Sequence, residues 1–291
     1  MIKALQDIDK RWIFLAMAIA VAVPILFQVT FPEKPGKMVM GAFNKIEELP
    51  PGSNILVAID YGPGSQAELD PMATALVSHC CEKGHKLFFV ALWATGTKMI
   101  SKTIDNVIKE EYPQMEYGKD YVNLGFKSGS EGLIIVIGSD IRKSYAADEF
   151  GTSLDEIEMT KDIKSIQEMD LILSVSAGTP GTKEWIQYGP KKKGTNTKVP
   201  IIGGCTGVQA PLLYPYYPEQ MVGLLGAIKG AAEYEAALLK AQDENGKKKY
   251  VKFDKPKFRE GLRRMAPQLS AHILMVGLII LGNIIFFMQR K

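Results

Sequence analysis

Two uncharged apolar runs bracket the chain, residues 12–31 and 269–288. Each holds about 20 residues, which as helix would span roughly 30 Å, the thickness of a bilayer's hydrocarbon core. Neither shows the polar face of a helix from a soluble core. Between the runs, short apolar stretches alternate with amphipathic ones. Residues 55–59 read as a buried strand ending at Asp60. Residues 67–83 have helical spacing, with Leu69, Met72, Ala73, Leu76 and Val77 on one face and Gly84 as the stop. Further strands are expected at 86–93, 121–124, 132–138, 170–175 and 199–203, the last of the sheet, and helices at 98–111, 185–188 and 219–242. Residues 139–168 are polar and weakly patterned, and read as an insertion near the membrane-distal or ligand-facing edge. This alternation predicts an α/β chain: a Rossmann-like doubly wound, mostly parallel sheet of five or six strands with right-handed crossovers, flanked by an N-terminal and a C-terminal transmembrane helix.

The expected organisation is a tail (1–11), a span (12–31), a Pro/Gly-punctuated neck (32–53), the α/β domain (54–245), a basic neck (246–268), a second span (269–288) and a tail (289–291). Lys3, Lys10 and Arg11 precede the first run as they would in a signal peptide. However, the run exceeds a typical signal-peptide core, and Phe27-Gln28-Val29-Thr30-Phe31-Pro32 lacks the small residues of a cleavage site, so an uncleaved anchor is expected. Pro24 is expected to kink that span or mark a close contact with another helix. Basic residues on the domain side (Lys34, Lys37, Lys45, Lys252, Lys255, Lys257, Arg259, Arg263, Arg264) outnumber those beyond the spans (Lys3, Lys10, Arg11, Arg290, Lys291). That bias favours a cytoplasmic domain. The first span taken alone is nearly balanced, and export is the alternative.

The 291 residues are 46% hydrophobic, enough for one sizeable domain with a core between the spans. The cysteines are Cys80, Cys81 and Cys205; an adjacent pair within an odd count does not describe a disulfide framework. The run Lys191-Lys192-Lys193 reads as a solvated loop. Lys247-Lys248-Lys249, in the basic neck, either sets topology and solubility or touches anionic headgroups, at about 1 kcal/mol per lysine near the surface.

In a doubly wound sheet, ligands bind outside the carboxyl ends of the strands. The loops expected there offer Asp60, Gly62 and Ser65, then Thr95 and Thr97, then Ser139, then Ser176 and Thr179, then Thr206. Small and hydroxyl residues let backbone N–H groups approach a ligand, and helix N-termini favour anions. The same residues also serve as ordinary turn and capping groups, so a ligand pocket and a packed loop cluster both stand. Asp60 is the most informative polar position, as a ligand for a ribose, metal or hydroxyl or as a turn cap. No phosphate loop, dinucleotide fingerprint or nucleophile elbow occurs. His79, Cys80, Cys81 and His85 match no zinc spacing, and core packing is the better account of them. Cys205 sits in a glycine loop without a partner histidine, so catalysis there is not expected.

Other positions point to assembly. In the helix expected at 219–242, Gly223, Gly226, Ala227, Gly230 and Ala231 form a smooth stripe for another backbone, either the domain's own sheet or a second subunit. Residues 211–218 are rich in Tyr and Pro, which suit a contact loop. Within the second span, Gly282 and Asn283 are candidates for helix–helix contact, and His272 is placed to reach headgroups.

Leu49-Pro50-Pro51-Gly52-Ser53, the Asp60-Tyr61 strand end, Ser176-Ala177-Gly178-Thr179-Pro180-Gly181 and the stretch from Gly223 to Glu235 resemble an uncharacterised family of prokaryotic membrane-anchored proteins with a Rossmann-like domain between two transmembrane helices. The resemblance covers most of the chain. It implies a two-span protein of the inner membrane and carries no activity. The expected function is that of a non-catalytic accessory or scaffold subunit of a membrane complex. The alternative is a membrane-tethered binding, sensing or enzymatic domain. Membrane lipids and other membrane subunits, or further copies of the chain, are the expected partners. Nucleic acid is not expected, no metal site is assigned, and the cofactor is unknown.

Overall fold

The computed structural model describes residues 9–289. The outer parts of the expected tails, with Lys3, Arg290 and Lys291, lie outside the described residues. The chain divides into two compact units, Lys34–Gly261 and the end segments Met1–Glu33 with Leu262–Lys291. In the end segments, α1 (Lys10–Leu26) opens on Asp9, whose carboxylate accepts the Arg11 N–H at 2.9 Å. Its 17 residues correspond to about 26 Å of helix. That is shorter than the run 12–31 predicted, because the helix ends at Leu26, Gln28 takes a left-handed conformation (φ 48°) and residues 27–31 lie outside the helix.

The unit Lys34–Gly261 is built on six parallel strands: β1 (Asn54–Asp60), β2 (Lys86–Ala91), β3 (Tyr121–Phe126), β4 (Leu171–Ser176), β5 (Ile201–Cys205) and β6 (Gly223–Gly226). Their order is β3-β2-β1-β4-β5-β6. This is the doubly wound order, with the direction of winding reversing between β1 and β4. The strands are covered on both faces, which is why they read as continuous apolar runs.

Around the sheet lie α2 (Lys37–Glu48), α3 (Gln66–Glu82), α4 (Gly96–Thr103, continued by a π-helical turn Ile104–Lys109), α5 (Ser130–Ser139), α6 (Thr182–Tyr188), α7 (Ala210–Leu213) and α8 (Ala227–Lys240). Helices α2, α3 and α8 pack together and against the sheet. The residues β1 turns the other way, Leu56 and Ala58, join a core with Ile134 and Ile137 of α5, Trp185 of α6 and Leu213 of α7. The insertion 139–168 adds Tyr145, Leu154, Ile157 and Ile166 to that core. Arg142 ties it together, donating to the Asp155 carboxylate (2.7 Å) and to the carbonyls of Ile163 (2.6 Å) and Thr160 (3.0 Å).

Three sequence expectations are corrected. Residues 132–138 are not a strand but lie within α5, an apolar helix that buries Leu133, Ile134 and Ile137. The strand expected to end the sheet, 199–203, is followed by β6. The helix expected at 219–242 is β6 followed by α8, with the break at Ala227 (φ 56°). The small-residue stripe therefore does not exist on one helix. Gly223 and Gly226 lie on the strand, and Ala227, Gly230 and Ala231 open α8.

Gly223 is required by the approach of α2. A Cβ there would stand 2.3 Å from the Ala42 backbone nitrogen, and one on Gly41 would stand 2.4 Å from the Val222 carbonyl oxygen. The two glycines bring helix and strand backbones into direct contact. Gly230 similarly lies against the Leu225 backbone.

Helix α9 (Glu260–Gln289, 30 residues) begins well before the apolar run at 269. Gly261 donates to the buried Glu235 carboxylate at 2.9 Å and lies against the α8 backbone. Within Glu260–Met288 an 18-residue stretch reaches a mean hydropathy of 2.3 with none of that stretch buried. Among the described residues it is the one helix long and apolar enough to cross a bilayer.

Gly223→Ala is expected to destabilise the unit by at least about 1–3 kcal/mol, because the new methyl meets backbone. Gly132→Ala, where a Cβ meets open space on a helix, is expected to stabilise it by about 0.5–1 kcal/mol. Thermal unfolding of the two detergent-solubilised variants checks both signs.

Candidate functional site

The reversal of winding between β1 and β4 places Asp60 beside Ser176 at the carboxyl edge of the sheet. Residues two apart on a strand share a face, so Asp60 points with Leu56 and Ala58 towards α6 and the insertion. It is fully buried. Its Oδ1 accepts the Leu92 N–H at 2.5 Å, while Oδ2 has no hydrogen-bond partner. The Trp185 indole N–H bears on the carboxyl group but stays outside hydrogen-bonding geometry, and Trp185 Nε1 and the Tyr145 hydroxyl are likewise buried and unpartnered. Burial pushes the Asp60 carboxyl up to about 7; the N–H groups of Leu92, Trp185 and Trp93 oppose the rise, and the Glu184 charge adds to it. Burial also raises the Tyr145 phenol, helped by Asp60.

The neighbouring loops close over this carboxyl group. Trp93, just after β2, donates its Nε1 proton to the Pro180 carbonyl at 2.7 Å, and Gly178 lies under the indole, where a Cβ would come within 3.3 Å of the ring. Ser176 accepts the Thr182 N–H at 3.1 Å and pairs with its hydroxyl at 2.9 Å; Ser174 joins the same hydroxyl at 3.0 Å. The Gly181 N–H donates to Glu184 at 2.7 Å. These bonds satisfy the orphan N–H donors at the start of α6. Ser176 thus spends its hydroxyl on the chain itself.

Of the other predicted positions, Gly62 packs against Thr95, whose hydroxyl donates to the Tyr61 carbonyl at 3.5 Å. Ser65 leads into α3 without a side-chain cap bond, the Thr97 carbonyl accepts from Ser101, Thr179 is exposed, and the Thr206 carbonyl accepts from Gln209 and Ala210. Ser139 does not join the group. It ends α5, whose 10 residues carry it about 15 Å along the axis from Ser130, and its hydroxyl donates to Val136. Cys205 is buried, and burial pushes its thiol up to about 12, a setting that suppresses thiolate chemistry. Gly226 faces Ala210, and Ala227 faces Gly207. Asn283 donates to the Ile279 carbonyl of its own helix, and Gly282 has open space around it.

Sequence reasoning missed a second polar cluster. His79 of α3 is fully buried. Its Nδ1 lies 2.7 Å from the Tyr234 hydroxyl, and its Nε2 lies 3.3 Å from Glu47 and 3.2 Å from the Tyr250 hydroxyl. Burial lowers the His79 pKa against the pull of Glu47. Glu47 is partly buried, which raises its pKa, but hydrogen bonds from His79, Lys249 and Tyr250 outweigh this and hold its carboxyl well below the usual range. Four separate elements meet here, and no local spacing announces them. All three cysteines are free and buried. Among the described residues no group of three or more His, Cys, Asp or Glu is placed to hold a metal ion.

Fold and site define a Rossmann-like α/β protein with a closed switch-point carboxylate and a long apolar C-terminal helix. Compared with protein-family models, curated proteins and solved structures, the chain matches none.

The raised Asp60 pKa has a definite sign. The fold holds the carboxyl proton more tightly than the unfolded chain does, so its contribution is complete below about pH 4 and is lost as pH rises to about 7. The loss amounts to at most about 4 kcal/mol. Asp60→Asn is expected to remove this slope, so that wild-type stability falls relative to the variant between pH 4 and 8. Parallel stability curves for the two chains would show that folding does not raise the Asp60 pKa.

Proposed function

We propose that this chain is a membrane-anchored, non-catalytic accessory subunit that assembles with other membrane proteins or with further copies of itself. The carrying observation is α9, in which an 18-residue apolar stretch reaches a mean hydropathy of 2.3 with none of that stretch buried by the chain. Such a surface is stable only against lipid tails or other helices. Gly282 and Asn283 suit the second kind of cover, since small residues let helices approach and an amide can bond across them. In this reading α1 is a shorter second anchor, the membrane is the prokaryotic inner membrane, and the domain faces the cytoplasm. The closed switch point supports a non-catalytic role. Trp93 bonds across to Pro180, and Ser176 and Thr182 satisfy each other. Extraction from native membranes in mild detergent, followed by crosslinking and mass spectrometry, is expected to recover a complex. A lone monomer with no crosslinked partner overturns the proposal.

One observation favours a second reading, a small-molecule site at the same edge. Asp60 Oδ2, Trp185 Nε1 and the Tyr145 hydroxyl supply one acceptor and two donors without internal partners. Under this reading, movement of Trp93 off Pro180 admits a small polar ligand. A ligand held at one hundred times its dissociation constant adds about 2.7 kcal/mol of stability. A thermal-shift screen of nucleotides, sugar phosphates and carboxylates is expected to yield a stabilising compound that loses its effect in Asp60→Ala; an empty screen removes this reading.

A further inference from the structure

The edge of the sheet at β3 carries a separate cleft of about 330 Å³ between the π-helical turn and the insertion. Three aromatic rings line it. Tyr117 stands nearly perpendicular to Tyr121 (centroids 5.3 Å apart, 85°) and to Phe150 (5.4 Å, 72°). Asp105 and Lys109 of the π-helical turn complete the wall and bond to each other at 2.8 Å.

The rings are held in place. Tyr117 donates its hydroxyl proton to Asp148 at 2.6 Å and accepts the Asn123 N–H at 3.3 Å. The other Asp148 oxygen accepts the N–H groups of Phe150 (3.0 Å) and Thr152 (2.8 Å). One carboxylate therefore fixes both a ring and the turn that presents the next ring. Phe150 is 71% exposed on that anchored turn. An exposed phenylalanine on a fixed turn makes little sense as core packing. It makes sense as a preformed wall. The π-helical turn adds a second sign, since such turns are rare and concentrate at functional positions.

We propose that this cleft binds a small organic cation bearing a methylated ammonium group. Tyr117 stands across both Tyr121 and Phe150, so the cleft carries ring surfaces in more than one orientation, and a cation is attracted to the face of such a ring. The methyl groups of such a cation give the rings apolar surface to cover, and Asp105 supplies the opposite charge. Lys109 occupies that carboxylate while the cleft is free, so an incoming cation competes with the protein's own ammonium. The site is independent of the assembly role proposed above.

The test uses the full-length chain in detergent, with choline as the probe and 3,3-dimethylbutan-1-ol, its uncharged carbon counterpart, as the control. Choline is expected to shift the melting temperature and to give a saturable binding isotherm; the alcohol is not. Phe150→Ala, whose exposed side chain leaves the fold intact, and Asp105→Asn are each expected to weaken choline binding by about tenfold. Lys109→Gln is expected to strengthen it, because it frees Asp105. Equal responses to choline and the alcohol, no response to choline, or full binding by the Phe150→Ala chain would overturn the proposal.

Discussion

The contact between helix α2 and strand β6 is the constraint on which the domain depends. A parallel sheet must be covered on both faces, and at its edge strand β6 part of that cover comes from α8, the helix that follows it. The rest comes from before the sheet, from α2. Gly41 meets the Val222 carbonyl and Gly223 meets the Ala42 backbone, so the two elements approach without intervening side chains. Val39, Ala42 and Ile46 bury the inner face of α2. A side chain on either glycine would hold the helix off the strand, and the gap would forfeit dispersion contacts along its length.

The far end of the same helix is held by different physics. Glu47 enters the cluster of His79, Tyr234 and Tyr250, with Lys83 and Lys249 nearby, and Phe43 stacks on the His79 ring at 5.0 Å. A partly buried carboxylate is well tolerated where its neighbours answer it, and a half-satisfied cluster would be worse than an apolar one. The answer links α2, α3, α8 and the segment at Tyr250 that precedes α9. The helix is thus pinned by close packing at one end and by a polar knot at the other. The Gly261 bond to Glu235 adds a further tie where α9 begins.

How far the sequence predicted this arrangement depended on whether the deciding force was local. The strand at Ile55–Ile59 and helix α3 were legible because burial imposes a pattern that periodicity exposes. Asp60 was legible because it ends a strand at a turn. The run 132–138 was misread because α5 is apolar almost all round, exposing Ile135 and Val136 while burying Ile134 and Ile137. Periodicity cannot separate such a helix from a buried strand. Residues 223–226 fall at helical spacing through their glycines, although the cause of Gly223 is the helix carrying Ala42, about 180 residues earlier in the chain. The His79 cluster and the Tyr117 cleft are assembled from distant segments, so no local pattern could have named them.

The switch-point carboxylate shows the same dependence on context. A loop that reads as glycine, serine and threonine is ambiguous between receiving a ligand and closing on itself. Two bonds decide its resting state: Trp93 to Pro180, and Thr182 to Ser176. Both belong to the protein, and both leave Asp60 beneath them with an oxygen unanswered. An apolar residue at that position would avoid the cost of burying a carboxyl group. Its carboxyl instead tethers the Leu92 N–H at the end of β2, the strand from which Trp93 extends. The group that makes the site chemically interesting is therefore also the one that positions its cover, so the closed loop and the buried acid form one structural unit.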